Sequence, residues 1–252
     1  MSTPASTSTP ESRASGTRPT VVLVHGAFAD SSLWNAVVAR LEEDGFPVVA
    51  VANPLRGLRR DAASTRDVLA ALDGPVVLVG HAYGGSVIST AADGADDVRA
   101  LVYIAGLIPD EEESAADLAA LFPDSTLAES LREVPLVHSG DPGDVDLYID
   151  PSRFHRQFAA DLTPEQAAVL AATQRPVSAT ALTEAATVAA WQRIPVWALT
   201  TTDDRVIPHE AQVYMAERAL AHVRNLEASH AVPVSAPEAV VRVIQEAATA
   251  TG

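Results

Sequence analysis

The chain has 252 residues, 48% of them hydrophobic, and a formal charge of −16 at pH 7. This length and apolar content suit one domain with a sizeable core, and the acidic balance argues against nucleic acid or an anionic membrane as a partner. The sequence contains no cysteine, which excludes disulfides and thiolate metal sites.

Residues 1–19 are rich in Ser, Thr, Pro and Ala and contain no hydrophobic segment. Such a composition is typical of a disordered tail and differs from a signal peptide. No apolar run reaches the ~18 residues that a membrane span needs, so we expect a cytoplasmic protein without membrane contact. All 17 basic residues are arginine, which together with the high alanine content indicates bacterial, GC-rich coding.

Six short apolar runs alternate with longer amphipathic segments, the pattern of a parallel sheet flanked by helices. Their Val, Ile and Leu content is typical of strands that are covered on both faces. The runs are residues 20–25, 47–52, 75–80, 98–105, 194–200 and 223–228. Helical periodicity occupies residues 32–44, 61–72, 84–93, 209–221 and 235–249.

The alternation breaks once, where several short helical patterns and scattered prolines follow the fourth run. A connection of this length often covers a functional site. We therefore predict a three-layer α/β fold whose mostly parallel six-stranded core comprises residues 20–106 and 194–252, with a helical lid, 107–193, inserted after the fourth strand. In such sheets the ligand site lies beyond the carboxyl ends of the strands.

The third predicted strand leads into G-H-A-Y-G-G at residues 80–85. This has the form of a nucleophile elbow, G-x-S-x-G, in which a strand turns sharply into a helix and raises one side chain above the sheet. Alanine, Ala82, stands where the motif has serine. The sequence therefore predicts an intact turn that lacks the nucleophilic oxygen.

Other strand ends supply the remaining candidates. The first run ends in His25-Gly26-Ala27-Phe28, the fifth is followed by an acidic segment, 203–208, and the sixth by Ser229-His230-Ala231. Nucleophile position, acid and histidine thus follow the order of the α/β-hydrolase triad. The chain resembles α/β-hydrolase-fold proteins of a bacterial esterase-like group with HGAFAD, NPL, GHSYGG and SHAV motifs; the resemblance covers about residues 20–249 and departs at Ala82.

The resemblance implies a role for each of these groups. His230 would take the proton of the nucleophile, and a carboxylate would orient the imidazole and stabilise its charged form. The D-R-x-I-P pattern favours Asp204 as that carboxylate over its neighbour Asp203, and Asp110, after the fourth strand, is a third candidate.

The oxyanion hole requires two backbone N–H groups. We expect them from Tyr83 and Ala27, with Phe28 as the alternative to Ala27. Pockets of this kind are mostly apolar, so the candidate substrate-binding walls are Phe28 and Trp191, together with Trp34 and residues 174–176. No phosphate loop, dinucleotide motif or metal-ligand spacing is present, and we expect no cofactor and no metal.

These implications predict a serine-hydrolase-type hydrolase of carboxylic esters or lactones whose partner is an apolar small molecule. Ala82 has three interpretations. The one that we favour is a replacement of the nucleophile that leaves an inactive, substrate-trapping form. The others are a pseudo-hydrolase that only binds a small molecule, and a cofactor-free lyase or haloperoxidase chemistry in which His230 acts as a base without a covalent step.

Overall fold

The computed structural model describes residues 18–138 and 144–251. The predicted tail, apart from residues 18 and 19, lies outside these ranges. The strands are β1 (Thr20–Val24), β2 (Val48–Val51), β3 (Val76–His81), β4 (Val98–Ile104), β5 (Leu131–Pro135), β6 (Val145–Ile149), β7 (Val177–Ser178), β8 (Val196–Thr201) and β9 (His222–Leu226). The helices are α1 (Asn35–Glu43), α2 (Leu58–Ala70), α3 (Gly84–Ala91), α4 (Ala115–Leu121), α5 (Leu127–Ser130), α6 (Pro151–Phe158), α7 (Pro164–Thr173), α8 (Ala179–Thr183), α9 (His209–Arg218), α10 (Val232–Ser235) and α11 (Pro237–Thr251), with 3₁₀ turns at Ser31–Trp34 and Ala190–Gln192.

The main sheet has six strands in the order β2-β1-β3-β4-β8-β9, and every neighbouring pair is parallel. Val22 of β1 pairs with Val49 on one side and with Leu78 on the other. The predicted six-stranded α/β fold is therefore confirmed. Strand β3, which carries the G-H-A-Y-G-G turn, lies in the interior of the sheet, where its carboxyl end is surrounded by other strand ends.

Two hydrophobic layers cover the sheet. On one face α1 and α11 pack against alternate strand residues such as Val21 and Leu23. On the other face α2, α3 and α9 pack against the intervening residues, Val22 and Val24 among them. Successive strand side chains point to opposite faces, so a run of apolar residues buries both sides of the sheet. This arrangement explains why interior strands such as β1 are apolar runs, whereas the edge strand β9 is largely exposed and contains Arg224 and Asn225.

The segment between β4 and β8 contains the helices α4 to α8 and also a small antiparallel sheet, β5-β6-β7. We call this segment the insertion. The prediction was helical, and the additional sheet is a finding of the structure. Strand β5 is largely exposed and β7 has only 2 residues, so these strands lack the apolar runs by which the core strands were identified. Within the described ranges, the helices are too short or too polar for a membrane crossing.

Candidate active site

The turn after β3 has the geometry that the motif predicts. Ala82 is buried and adopts φ +50, in the left-handed region, between the end of β3 and the start of α3. Such a backbone is strained for a residue with a Cβ and persists only where the surroundings hold it. The turn packs closely against β1, since a Cβ on Gly84 would lie 2.4 Å from the carbonyl oxygen of Val24. The alanine methyl group thus occupies the place of a nucleophile side chain.

The turn after β9 carries His230, which is 1% exposed. Its Nδ1 lies 2.7 Å from Oδ2 of Asp204. A carboxylate can only accept, so this bond assigns the proton of the neutral imidazole to Nδ1 and leaves a lone pair on Nε2. Within the described residues Nε2 has no hydrogen-bond partner, although it is buried. His230 and Ala82 line the same cavity.

Asp204 is held by four further donors. Its Oδ1 accepts from the amides of Val206 and Ile207, at 2.8 and 3.0 Å. Its Oδ2 accepts from Thr201 Oγ1 at 3.1 Å and from Gln212 Nε2 at 3.0 Å. Four donors of this kind hold the orientation of a buried carboxylate. The carboxylate is therefore preorganised to orient the imidazole.

The other two candidate acids lie elsewhere. Asp203 borders a separate polar depression with Asp161 and Arg205. Asp110 accepts hydrogen bonds from Gln192 Nε2 and from the next amide, at 3.0 and 2.9 Å. Of the three carboxylates, the structure brings Asp204 to the histidine.

The loop after β1 is held by the ring of His25. His25 Nδ1 donates to the carbonyl oxygen of Gly26 at 2.9 Å, and its Nε2 accepts from the amide of Asn53 at 3.1 Å. Burial lowers the pKa of His25, which keeps the ring neutral for this pair of bonds. Because a trans peptide points its C=O and N–H in opposite directions, the amide of Ala27 faces away from the His25 ring.

The candidate oxyanion amides are those of Ala27 and Tyr83. Within the described ranges neither has a hydrogen-bond acceptor in the protein. The first loop passes directly against the turn, since a Cβ on Gly26 would lie 2.6 Å from the Cβ of Ala82 and 3.0 Å from the amide nitrogen of Tyr83. The amide of Phe28 donates to the carbonyl of Arg175 at 3.1 Å, so it is engaged by the insertion.

The cavity beside these groups has a volume of about 390 Å³. Its floor contains Ala27, Ala82 and His230, and α4 of the insertion forms one wall. Its further lining includes Leu118, Ala119, Phe122, Leu182 and Ile207. No Asp, Glu or Arg is among the described residues that line it. An uncharged wall disfavours ionic ligands because a charge would lose its hydration without gaining a partner.

Of the predicted substrate-binding walls, Phe28 lines the cavity and Trp191 does not. Trp191 Nε1 donates to the carbonyl of Pro109 at 2.7 Å, and the guanidinium of Arg218 lies 5.7 Å from the ring centroid. Trp34 packs in the core layer on the opposite face of the sheet. Residues 174–176 contact the cavity loops through the Arg175 carbonyl but are not among the lining residues. The sequence could not separate these positions because each is an aromatic or an insertion residue near a strand end.

Two residues that were not assigned a catalytic role support His230. His81 Nε2 donates to the carbonyl oxygen of His230 at 2.9 Å. Burial holds the pKa of His81 well below its usual value, so the ring is neutral. Phe158 of α6 contacts the His230 ring edge-on at 4.9 Å between centroids. No sequence signal pointed to Phe158, because it lies 72 positions before His230 in a helix of the insertion.

The insertion also holds the backbone around the histidine. Asp161 accepts from the amide of Ser229 at 2.9 Å and from its hydroxyl, and the amide of Ala231 donates to the carbonyl of Phe158 at 2.9 Å. Ala231 is thus bonded to the last residue of α6, and Ser229 to the segment that follows it. Within the described ranges, no group of three or more His, Asp and Glu side chains could hold a metal ion.

This geometry agrees with the comparison to known proteins. Residues 21–243 match the alpha/beta hydrolase family. The chain belongs to that family. Among curated alpha/beta hydrolases, nvfD of Aspergillus novofumigatus is 29% identical over 256 residues, a match that covers 92% of this chain and 97% of the fungal protein.

Solved structures of alpha/beta hydrolases superpose on most of the chain. Polyneuridine aldehyde esterase matches with a TM-score of 0.79 and 21% identity, covering 91% of this chain and 98% of the esterase. A pyrethroid hydrolase from Sphingobium faniae JZ-2 matches with a TM-score of 0.74 and 23% identity, covering 92% and 98%. At these identities the likeness concerns the fold. The structural neighbours of this alpha/beta hydrolase thus include esterases.

Proposed function

We propose that this alpha/beta hydrolase has the site of a carboxylic-ester or lactone hydrolase in a nucleophile-less form, which binds a neutral, apolar carbonyl compound without forming an acyl-enzyme. The observation that carries the proposal is the His230–Asp204 pair, with a buried and unpartnered Nε2, in the cavity that also contains Ala82. The esterase-type neighbours support the same reaction class.

The roles follow from the chemistry of acyl transfer. With serine at position 82, the hydroxyl oxygen would attack the ester carbonyl while His230 Nε2 takes its proton, and Asp204 would stabilise the imidazolium. The amides of Ala27 and Tyr83 would donate to the oxyanion as it forms. His230 would return the proton to the leaving alcohol. A water activated by the same nitrogen would then release the acid from the acyl-enzyme.

Alanine removes the first step and leaves the binding groups in place. Loss of the nucleophile from such a triad lowers kcat by about 10⁶-fold, whereas the amides and the cavity wall do not depend on the missing oxygen. The chain therefore holds the substrate of the serine form and releases it unchanged. We therefore expect the molecule to bind this substrate without hydrolysing it.

The cavity favours apolar acyl groups. A volume of about 390 Å³ lies within the range of small-molecule pockets, about 300–1,000 Å³. With no charged side chain among the described lining residues, an ester or lactone with hydrocarbon substituents matches the wall better than a carboxylate or an ammonium compound.

The test is the Ala82→Ser variant, assayed on a panel of short p-nitrophenyl esters and lactones beside the unchanged chain. We expect a large gain in hydrolysis that is lost again in Ala82→Ser/His230→Ala. A serine form as inactive as the alanine form would refute the proposed ester hydrolysis. The unchanged chain should bind the same esters in calorimetry and return them intact.

A second function is favoured by one specific observation, the retention of a buried base without a nucleophile beside it. His230 could remove a proton from a carbon next to a bound carbonyl, with the two amides stabilising the enolate oxygen. Exchange of such protons for deuterium by the unchanged chain, absent in His230→Ala, would support this function. A ligand whose affinity is indifferent to loss of Asp204 and His230 would instead indicate a pure binding protein.

A further inference from the structure

The residue after the nucleophile position has a polar contact that its amide role does not require. Tyr83 is 3% exposed and is among the residues that line the cavity. Its hydroxyl donates to Oδ2 of Asp61 at 2.9 Å. A phenylalanine would fill the same space without a buried hydroxyl to satisfy, so the hydrogen bond is the distinguishing feature of this side chain.

Asp61 lies in the first turn of α2 and is fully buried. Its Oδ1 accepts from the amide of Arg56 at 3.0 Å, so one oxygen is bonded to the loop before α2 and the other to Tyr83. No arginine among the described residues forms an ion pair with it. Burial raises the pKa of this carboxyl group, which reflects the cost of keeping it away from water.

We propose that Asp61 is a positioning residue that holds the amide of Tyr83 in the oxyanion hole through the Tyr83 hydroxyl. The inference rests on the proposed carbonyl site and adds a residue to it. Asp61 contacts neither the cavity nor the reacting atoms, so it acts through Tyr83 alone.

Two sets of contacts restrain the peptide that carries the Tyr83 amide. Its carbonyl, that of Ala82, accepts from the amides of Gly85 and Leu107 at 3.0 Å each, and the Tyr83 side chain is bonded to Asp61. The amide in question belongs to the peptide between Ala82, at φ +50, and Tyr83, at φ −57. A left-handed alanine is held by its surroundings, and rotation of this one peptide would turn the N–H away from the oxyanion. The Tyr83 hydroxyl is bonded to a residue in the first turn of α2, which restrains the side chain of the residue that carries this amide. An oxyanion donor that is displaced stabilises the transition state much less, because its hydrogen bond must reach the position of the oxyanion.

The alanine chain permits a direct test, because it binds an ester without consuming it. The probe is a short p-nitrophenyl ester labelled with ¹³C at the carbonyl, and the readout is the infrared band of the bound carbonyl. Hydrogen bonds from two amides polarise the C=O bond and displace its band to lower wavenumber. We expect Tyr83→Phe and Asp61→Asn each to reverse part of that displacement. The double variant should equal the single ones, since both changes break the same contact.

The control is Tyr103→Phe. Tyr103 is also a buried tyrosine next to α3. Its hydroxyl lies 2.7 Å from the hydroxyl of Ser89, and it is not among the described residues that line the cavity. It should lose a comparable amount of thermal stability and keep the full displacement of the carbonyl band. An unaltered band in both Tyr83→Phe and Asp61→Asn would overturn the positioning role. So would an equal change in Tyr103→Phe, which would mean that any loss of core stability alters the site.

The kinetic arm uses the Ala82→Ser background. We expect Tyr83→Phe and Asp61→Asn to lower kcat about tenfold with little change in KM, a fraction of the ~10²–10³-fold effect of removing one oxyanion donor outright. A rise in KM alone would contradict the inference. No displacement of the band in the unchanged chain would overturn the proposed carbonyl site together with the inference, whereas a displaced band that is indifferent to Asp61 would overturn only the inference.

Discussion

The strand-end side of the cavity is held by hydrogen bonds between buried polar groups, whereas the insertion side is apolar and is joined to the core in part by ion pairs. On the first side, Asp204 accepts four hydrogen bonds besides the one from His230. On the second side, α4 presents alanines and a leucine to the cavity, and Arg56 pairs with Asp146 at 2.5 Å. Under the proposed function, reaction chemistry would depend on the strand ends and ligand selection on the insertion.

The difference has a physical basis. A catalytic group must keep one orientation, and buried hydrogen bonds provide directional restraint. An apolar wall selects by volume, and its members can change without leaving a buried polar group unsatisfied. The insertion nevertheless reaches the first side through Phe158 and Asp161, which hold the backbone around His230.

The largest effect is expected from a change on the strand-end side. In the Ala82→Ser background, Asp204→Asn should lower kcat by about 10⁴-fold, because the imidazole would lose the tautomer that accepts a proton at Nε2. Steady-state kinetics with a p-nitrophenyl ester measure the effect. Asp203→Asn is the matched control, with the adjacent carboxylate removed. A larger loss in the control than in Asp204→Asn would reverse the assignment of the acid.

A smaller effect is expected from a change on the insertion side. In the same serine background, Ala119→Phe should reduce kcat/KM for long acyl chains about 10- to 100-fold while sparing acetate esters, because the added ring occupies the cavity. Ala120→Phe is the matched control, since Ala120 lies on the same helix and is not a lining residue. Equal selectivity in the two variants would show that α4 does not select the acyl chain.

The smallest effect concerns stability on the strand-end side. Burial lowers the pKa of His81 in the folded chain, so the unfolded chain binds the proton more readily. The contribution of the neutral His81 ring to the free energy of unfolding is fully present above the ordinary histidine pKa of about 6.5. It decreases as the pH falls from there towards the lowered pKa of the folded chain. Below about pH 6.5, His81 adds at most ~1.4 kcal/mol per pH unit to the slope of the free energy of unfolding against pH.

Urea unfolding between about pH 8 and about pH 5.5 measures that slope. His81→Gln should be less stable at neutral pH and should lose less stability on acidification than the unchanged chain. An identical pH dependence in the two proteins would exclude a contribution from His81.

Prediction from the sequence succeeded where a local pattern carries the information. The apolar runs identified the interior strands of the main sheet, because a strand covered on both faces is mostly apolar. The G-H-A-Y-G-G segment identified the turn. Prediction was incomplete in the insertion, where β5, β6 and β7 form a sheet that a helical interpretation did not include. It also placed Trp191 on the cavity wall, whereas the indole is bonded to Pro109.

The contacts that support the site could not be predicted, because each joins residues far apart in the chain. Asp61 precedes Tyr83 by 22 positions, and Asp161 precedes Ser229 by 68. Nothing in the periodicity of α2 distinguishes a buried aspartate from an exposed one at a helix start, where acidic residues are common.

The sequence by itself determined the α/β class, the order of the candidate groups along the chain and the absence of an oxygen at position 82, since these depend on residue type and local spacing. The sequence pattern favoured Asp204 over Asp203 and Ala27 over Phe28, but only the tertiary structure shows the contacts that separate them. Asp204 meets His230, and the amide of Phe28 is engaged while that of Ala27 has no acceptor among the described residues. The reason is geometric. Neighbouring residues in a turn point in different directions, and only the packing of the strand ends selects which of them faces the cavity.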